Sequence, residues 1–385
     1  MFTAVQHFAL SYSTLDSVLH DWKRQWPSVG VMALLPEAER MHVELLQSLC
    51  NTHQVTLVGA VFPALIAQDS FQTQGVVLLA LQTMPPCFLL DDLQRDGAER
   101  MAQAVRQCLA GGTAAPPSLF LVFDAMVPNI GSLLDRVHQA LDEAPLYVGV
   151  NAGSETFAPM PCLFDNQRLV GDGVLGLLLD IPQRVAVRHA YPVSESLMRA
   201  TSATGNRIVT INNRPAFDVY REVIAQEFGV ALTRENFYDH AVHFPFGVVT
   251  VIDVLVRIPV ALDSDGSLVC VGEIPPHASL RLLRAPAQLA NSECVAQLSS
   301  DVRGSGAGAG QPFGLLTFYC AGRRMHFGAQ AADELAALHS ETGAQALFGA
   351  LSLGEIDCSN DFDFPRFHNA ALVCLALPGI AMQSP

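Results

Sequence analysis

Ala346-Leu-Phe-Gly-Ala-Leu-Ser-Leu-Gly-Glu-Ile-Asp-Cys-Ser-Asn-Asp-Phe-Asp-Phe-Pro-Arg-Phe-His-Asn-Ala-Ala-Leu-Val-Cys-Leu-Ala-Leu377 is the stretch on which the reading of this chain turns. An apolar run ends in Gly354-Glu355-Ile356, an acidic loop follows, and a second apolar run opens with Phe367-His368-Asn369. Hydrophobic runs of this length, without polar alternation, belong to strands covered on both faces. The segment therefore predicts two paired strands with polar residues gathered at their ends, where pockets in sheet proteins commonly open. Gly354, Glu355, His368 and Asn369 are candidate ligand contacts on that account. The plainer role for Glu355 and Asn369 is to satisfy backbone groups at a turn.

Upstream the same texture continues. Residues 29–35, 55–59, 75–81, 118–123 and 146–150 read as buried strands, separated by helical patterns at 12–26, 37–50, 91–110 and 129–142. Ser13 or Thr14 is the expected cap of the first helix. Strand pairs at 161–166 and 168–180 follow. Pro182, Pro192 and a Ser/Thr/Gly-rich stretch at 201–205 then interrupt the periodicity and place a boundary near 182–206. Beyond it come a strand at 207–212, a helix at 216–228 behind Pro215, strands from 246 to 284 with a hairpin at Asp263-Ser-Asp-Gly266, and a helix at 286–300. A glycine spacer at 304–310, a strand at 313–320 and a helix at 329–341 lead into the terminal segment. No repeat with a period of roughly 20–50 residues is visible. The expected fold class is α/β, with mixed sheets flanked by helices. A chain of 385 residues has room for two intimately packed halves.

Composition removes whole classes of function. Half the residues are hydrophobic and 15% are charged, with a net charge of −15. That balance excludes a disordered chain and argues against tracking nucleic-acid phosphates or an anionic membrane face. Lys23 is the only lysine, so Schiff-base chemistry and a phosphate-loop lysine have one implausible candidate, between two tryptophans. The nine cysteines are dispersed, with no Cys-x-x-Cys, as expected of reduced thiols in apolar cores. No basic, apolar leader opens the chain, and the longest apolar run, 244–262, is broken by Asp253, Arg257 and prolines. A cytoplasmic protein without membrane insertion is the expectation.

Few motifs carry chemistry. The spacer 304–310 follows a helix and precedes a strand, the reverse of a phosphate-cradling loop, and reads as a linker. His240 and His243 stand three apart at a helix end and could share a metal or ligate haem iron, although hydrogen-bonding histidines are the commoner outcome. Asp357, Asp361 and Asp363 lack the glycine and terminal glutamate of a calcium loop. Cys320 and His326 could be imagined as nucleophile and base, with nothing local to activate the thiol beyond Arg323 and Arg324. Arg323 is a candidate anion hook, or else one half of a structural ion pair, with Glu355 as its expected partner.

Short runs in a common order resemble the FIST family. They are Leu57-Val-Gly-Ala-Val-Phe, Val76-Val-Leu-Leu-Ala-Leu, Gly149-Val-Asn-Ala-Gly and Cys162-Leu-Phe-Asp-Asn-Gln-Arg-Leu-Val-Gly in the first half. In the second half they are Thr210-Ile-Asn-Asn-Arg-Pro-Ala-Phe-Asp-Val-Tyr, Phe244-Pro-Phe-Gly-Val, Cys320-Ala-Gly-Arg-Arg, Gly354-Glu355-Ile356 and Phe367-His368-Asn369. Departures lie at Phe348-Gly-Ala-Leu-Ser-Leu and at the glycine turn reduced to Asn151-Ala-Gly. The resemblance implies a helical lead-in at 1–29, an N-terminal domain at 30–181, a connector at 182–206, a C-terminal domain at 207–378 and a tail at 379–385. It implies a non-enzymatic bacterial sensory module for small ligands, amino acids being one proposal for the family. Such a module would act in trans on a signalling partner such as a histidine kinase or a cyclic-di-GMP enzyme. Stand-alone members that bind haem and sense nitric oxide make haem the alternative cofactor, with His240, His243 or His368 as axial ligand.

Overall fold

The apolar runs recur in one order three times, and that recurrence builds the molecule. The computed structural model describes residues 2–110, 117–141, 145–179, 186–251, 254–304, 312–358, 364–380 and 382–383, with backbone alone at 288–291 and 382–383. The first unit runs β1 (Phe2–Phe8), α1 (Tyr12–Gln25), β2 (Gly30–Pro36), α2 (Val43–Thr52), β3 (Thr56–Phe62), a hairpin of β4 (Leu65–Ala67) and β5 (Ser70–Gln72), then β6 (Val76–Leu81). The second repeats it with β7 (Cys87–Leu90), α3 (Gly97–Leu109), β8 (Ser118–Asp124), α4 (Ile130–Ala140), β9 (Leu146–Ala152), β10 (Leu163–Asp165), β11 (Leu169–Val170) and β12 (Val174–Leu179).

The third unit opens with β13 (Ala186–Arg188) and is interrupted by an inserted layer. That layer holds β14 (Val193–Thr204), β15 (Arg207–Ile211), β16 (Arg214–Pro215), α5 (Ala216–Phe228), α6 (Phe237–Ala241) and β17 (Phe246–Val249). It continues with β18 (Val254–Arg257), β19 (Pro259–Leu262), β20 (Leu268–Cys270) and β21 (Ser279–Leu283), the strands forming one eight-stranded sheet. The unit then resumes with α7 (Gln288–Gly304), β22 (Phe313–Cys320), α8 (Ala321–Phe327), α9 (Ala331–Thr342), β23 (Ala346–Ser352), the hairpin β24 (Glu355–Asp357) and β25 (Arg366–His368), and β26 (Leu372–Pro378). A last strand, β27 (Met382–Gln383), pairs with β1.

Each unit places two parallel strands side by side, β2 with β3, β8 with β9 and β22 with β23, joined by helical crossovers as parallel pairing requires. The later strand of each unit, β6, β12 or β26, lies antiparallel beside the first of the two. The hairpins are exchanged in a cycle. β4 adds to β23, β10 adds to β3, and β24 adds to β9. Each of the three units' own sheets therefore contains a hairpin from another unit, which ties the units together. Phe62, Phe120 and Phe318, one from each of the three sheets, meet with centroids 5.9 Å apart for both Phe318 pairs. All three are buried, and such a junction carries much of the hydrophobic stabilisation.

One glycine recurs with the units. Gly59, Gly149 and Gly349 pair with Ala33, Leu121 and Thr317 on the parallel neighbour. A Cβ at these glycines would stand 2.5, 2.3 and 1.8 Å from those residues' carbonyl oxygens. The repeat is thus set by close backbone approach, which leaves almost no sequence trace.

The structure corrects several expectations. Residues 2–8, expected in a helical lead-in, form a strand that pairs with β6, and the helix after it is capped by Ser11, whose Oγ accepts from the Thr14 N–H at 3.2 Å. Within 182–206, β13 joins β26, and β14 is a twelve-residue strand of the inserted layer. The two apolar runs of 346–377 do not pair with each other, because β22 lies between β23 and β26. The chain leaves β23, crosses into a second sheet for β24 and β25, and returns for β26. The spacer 305–310, Asp361 and Asp363 lie outside the described residues.

Candidate functional site: a pocket over a buried carboxylate

The double crossing at 353–371 concentrates polar groups at the carboxyl ends of β22 and β23. The Gly354 carbonyl accepts from the Asn151 N–H at 2.8 Å, and the Leu353 N–H donates to the Asn151 carbonyl at 3.0 Å. Gly354 has φ +154°, and a Cβ there would meet the Phe367 ring at 2.5 Å. Its role is to let the backbone pass under that ring. The return crossing places Ala370 at φ 60°.

A pocket of about 240 Å³ opens over this crossing. Cys320, Gly322 and Met325 come from the β22–α8 corner, Leu353 and Asn369 from the two crossings, and Ile258 and Val260 from the inserted layer. Glu155, Thr156 and Phe157 close one side, and Tyr238, Ala241 and Val242 close another. Ser154 shapes the first of these walls: its carbonyl accepts from the Phe157 N–H at 2.9 Å, and its Oγ accepts from the Thr156 N–H at 3.3 Å. Phe157 is held at φ 55°, a left-handed conformation that bulky residues rarely adopt and that clusters at ligand sites. Asn369 is 1% exposed, and its Nδ2 donates to the His368 carbonyl at 2.9 Å. Its Oδ1 has no partner among the described residues.

Glu355 lies behind this floor, fully buried. It accepts from the Ser352 hydroxyl at 2.5 Å, from the Ala371 N–H at 3.3 Å and from the Cys320 thiol. Burial pushes its pKa up to about 7, against the pull of those three donors. The Cys320 sulfur in turn accepts from the Ala370 N–H at 3.1 Å. Burial, with Glu355 adding to it, pushes this thiol well up, so it is a donor and not a nucleophile.

Arg323, expected as an anion hook or as the partner of Glu355, is bound to Glu334 instead. Its Nε and Nη2 lie 2.9 and 2.6 Å from the two Glu334 oxygens, with both side chains fully buried. Tyr319 donates to the same carboxylate at 2.5 Å, and Arg323 Nη1 donates to the His189 and Ala370 carbonyls at 2.8 and 3.3 Å. Burial opposes the guanidinium's charge, but the Glu334 hydrogen bonds outweigh it and hold the pKa well above its ordinary value. Arg257, whose pKa burial lowers to about 10, donates to the Val256, Glu273 and Phe367 carbonyls at 2.9, 2.9 and 3.1 Å. It ties the inserted layer to β25.

The histidines separate. His368 pairs with Glu355 in the β24–β25 register, yet its Nε2 lies 2.7 Å from Asp357 Oδ1 and it does not line the pocket. His240 and His243 line a different groove of about 410 Å³ on the far side of α6 and α8, together with His326 and Arg284. His243 Nδ1 and His326 Nδ1 are 2.7 Å apart, and His326 Nε2 is 3.0 Å from the Pro286 carbonyl. Because that carbonyl only accepts, His326 carries its hydrogen on Nε2 and accepts at Nδ1 from His243, leaving His243 Nε2 as a lone pair. Burial lowers the pKa of both rings. Cys320 and His326 therefore do not form a nucleophile–base pair. Among the described residues, no group of three or more His, Cys, Asp or Glu side chains could hold a metal.

Glu155, Phe157 and Tyr238 had no signal in the sequence, since they reach the pocket from the second unit and from the inserted layer. The FIST N domain matches residues 31–214, and the FIST C domain matches residues 216–357. No curated protein matches the chain. Two domain models following one another through nearly the whole pocket-forming fold leave one conclusion: the chain belongs to the FIST family of sensory domains.

Proposed function

We propose that this protein senses a small molecule held in the pocket over Asn369 and Glu355. FIST domains are associated with small-ligand sensing in signal transduction, and no described helix is long and apolar enough to cross a membrane. The observation that carries the reading is the Asn369 side chain in the lining of an otherwise largely apolar pocket, its Oδ1 a buried acceptor without a partner among the described residues. Its walls come from the second unit, the third unit and the inserted layer. Occupancy would favour one arrangement of these elements over others by differential affinity and alter the surface offered to a signalling partner, a histidine kinase or cyclic-di-GMP enzyme in this proposal. Asn369→Leu should weaken a pocket ligand about tenfold by removing one buried hydrogen bond while leaving the fold intact. Unchanged affinity, measured by calorimetry, would contradict the assignment.

Haem is a second reading, favoured by one observation. Among the described residues the pocket has no histidine, and Cys320 is committed to Glu355, so the residues there do not fit a haem. The histidine groove fits better: His243 has its Nδ1 hydrogen held by His326 and its Nε2 lone pair free, as metal-bound histidines do. His243 would hold the group and Arg284 suits a propionate; haem, when bound, supplies an iron that takes a diatomic gas. A Soret band after reconstitution that disappears in His243→Ala supports this reading. No band, or a band indifferent to His243, removes it.

A further inference from the structure

Two polar groups of the pocket's lining residues lack a partner among the described residues. The Glu155 carboxylate makes no ion pair among the described residues, and the Asn369 Oδ1 is an unsatisfied acceptor. Among the described residues, no arginine, lysine or histidine lines the pocket. The two nearby buried guanidiniums are spent, Arg323 on Glu334 and Arg257 on three backbone carbonyls. The Cys320 thiol is turned to Glu355. What remains are two aromatic side chains, Phe157 and Tyr238, together with Met325. A lone carboxylate beside aromatic rings, with no cationic side chain among the described lining residues, forms the environment that binds an ammonium group, through charge and cation–π attraction. A carboxylate or phosphate would meet Glu155 with nothing to offset it.

We propose that the pocket's ligand is a small organic cation, a primary amine on an apolar or aromatic body, with its ammonium held by Glu155. This rests on the pocket being the ligand site, and it separates this chain from a receptor of α-amino acids, because the α-carboxylate has no cationic partner here. Phe157 and Tyr238 enclose the body, and the strained backbone at Phe157 sets one wall in place before the ligand arrives.

The test is isothermal titration calorimetry of the full chain with phenethylamine, 3-phenylpropionate, phenylalanine and 2-phenylethanol. Phenethylamine should bind at least about tenfold more tightly than 3-phenylpropionate, with phenylalanine weaker than the amine. Glu155→Gln should remove most of that preference, about tenfold for the amine, and leave 2-phenylethanol unchanged. The proposal is overturned if the acid or the amino acid binds as well as the amine, if the preference survives Glu155→Gln, or if none of the four binds. The pocket reading is scored separately with Val260→Trp, which fills the cavity. An acid or amino acid that binds the native chain and not Val260→Trp overturns the amine assignment alone. Any of the four binding Val260→Trp undiminished overturns the pocket as its site.

Discussion

Leu65, Leu163 and Glu355 occupy one position in the three units. Each is the hairpin residue that faces the position after the recurring glycine, opposite Ala350, Ala60 and Val150 respectively. All three are fully buried. Two units satisfy the position with a leucine, so the fold has no need of a carboxylate there. The third holds a glutamate whose proton affinity burial has raised to near neutrality, behind the pocket proposed as the ligand site. Glu334 is buried in the same unit and shows the contrasting arrangement: bidentate to Arg323 and sealed by Tyr319, it staples the unit. What the units share is architecture; what one unit alone has is the chemistry of a site.

The sharing can be broken first. Gly349→Ala, Gly149→Ala and Gly59→Ala should each destabilise the fold, in that order, with Gly349→Ala costing more than about 4 kcal/mol or abolishing folding. Urea denaturation ranks them, and a neutral Gly349→Ala would break the equivalence. Next is the staple. Arg323→Met alone should cost about 3–5 kcal/mol by stranding the Glu334 charge, and Arg323→Met with Glu334→Leu should recover much of it. Equal losses in the single and double variants would mean that the pair acts through packing alone.

The unique carboxylate gives a smaller, pH-dependent effect. With its pKa raised to about 7 from the ordinary 4.5, folded Glu355 holds its proton where the unfolded chain has released it. The stabilisation is present below the unfolded pKa and is lost as pH rises from about 4.5 through 7, by a total on the order of 3 kcal/mol. Stability measured from pH 4 to 8 should therefore fall more steeply for the native chain than for Glu355→Gln. Glu355→Leu, which copies the other two units, should be the more stable protein at pH 8. Parallel profiles would return Glu355 to the ordinary run of carboxylates.

Much of the architecture was legible in the sequence, because β2, β3, β6, β8, β9 and β22 are buried on both faces and so read as unbroken apolar runs. The threefold order was not, since the inserted layer separates β13 from β22 and the recurring glycine is a single residue in each copy. The three-residue strands β4 and β24 are too short for any period, and their partners lie in other units. Glu355 and Asn369 stood out as polar groups ending apolar runs, and the fold gathers them at one crossing. Arg323's partner stood eleven residues along on another helix, and Glu155 and Tyr238 enter from distant segments; such convergence belongs to topology.

The central claim is that this pocket receives the signal, and a thermal-shift screen of small molecules against the native chain and Val260→Trp tests it most directly. A ligand at about a hundredfold excess over its Kd contributes about 2.7 kcal/mol, which for a chain of this length raises Tm by roughly 3 °C. The account predicts ligands that raise the native Tm by that amount and leave Val260→Trp unmoved. Ligands that stabilise both proteins equally would contradict it.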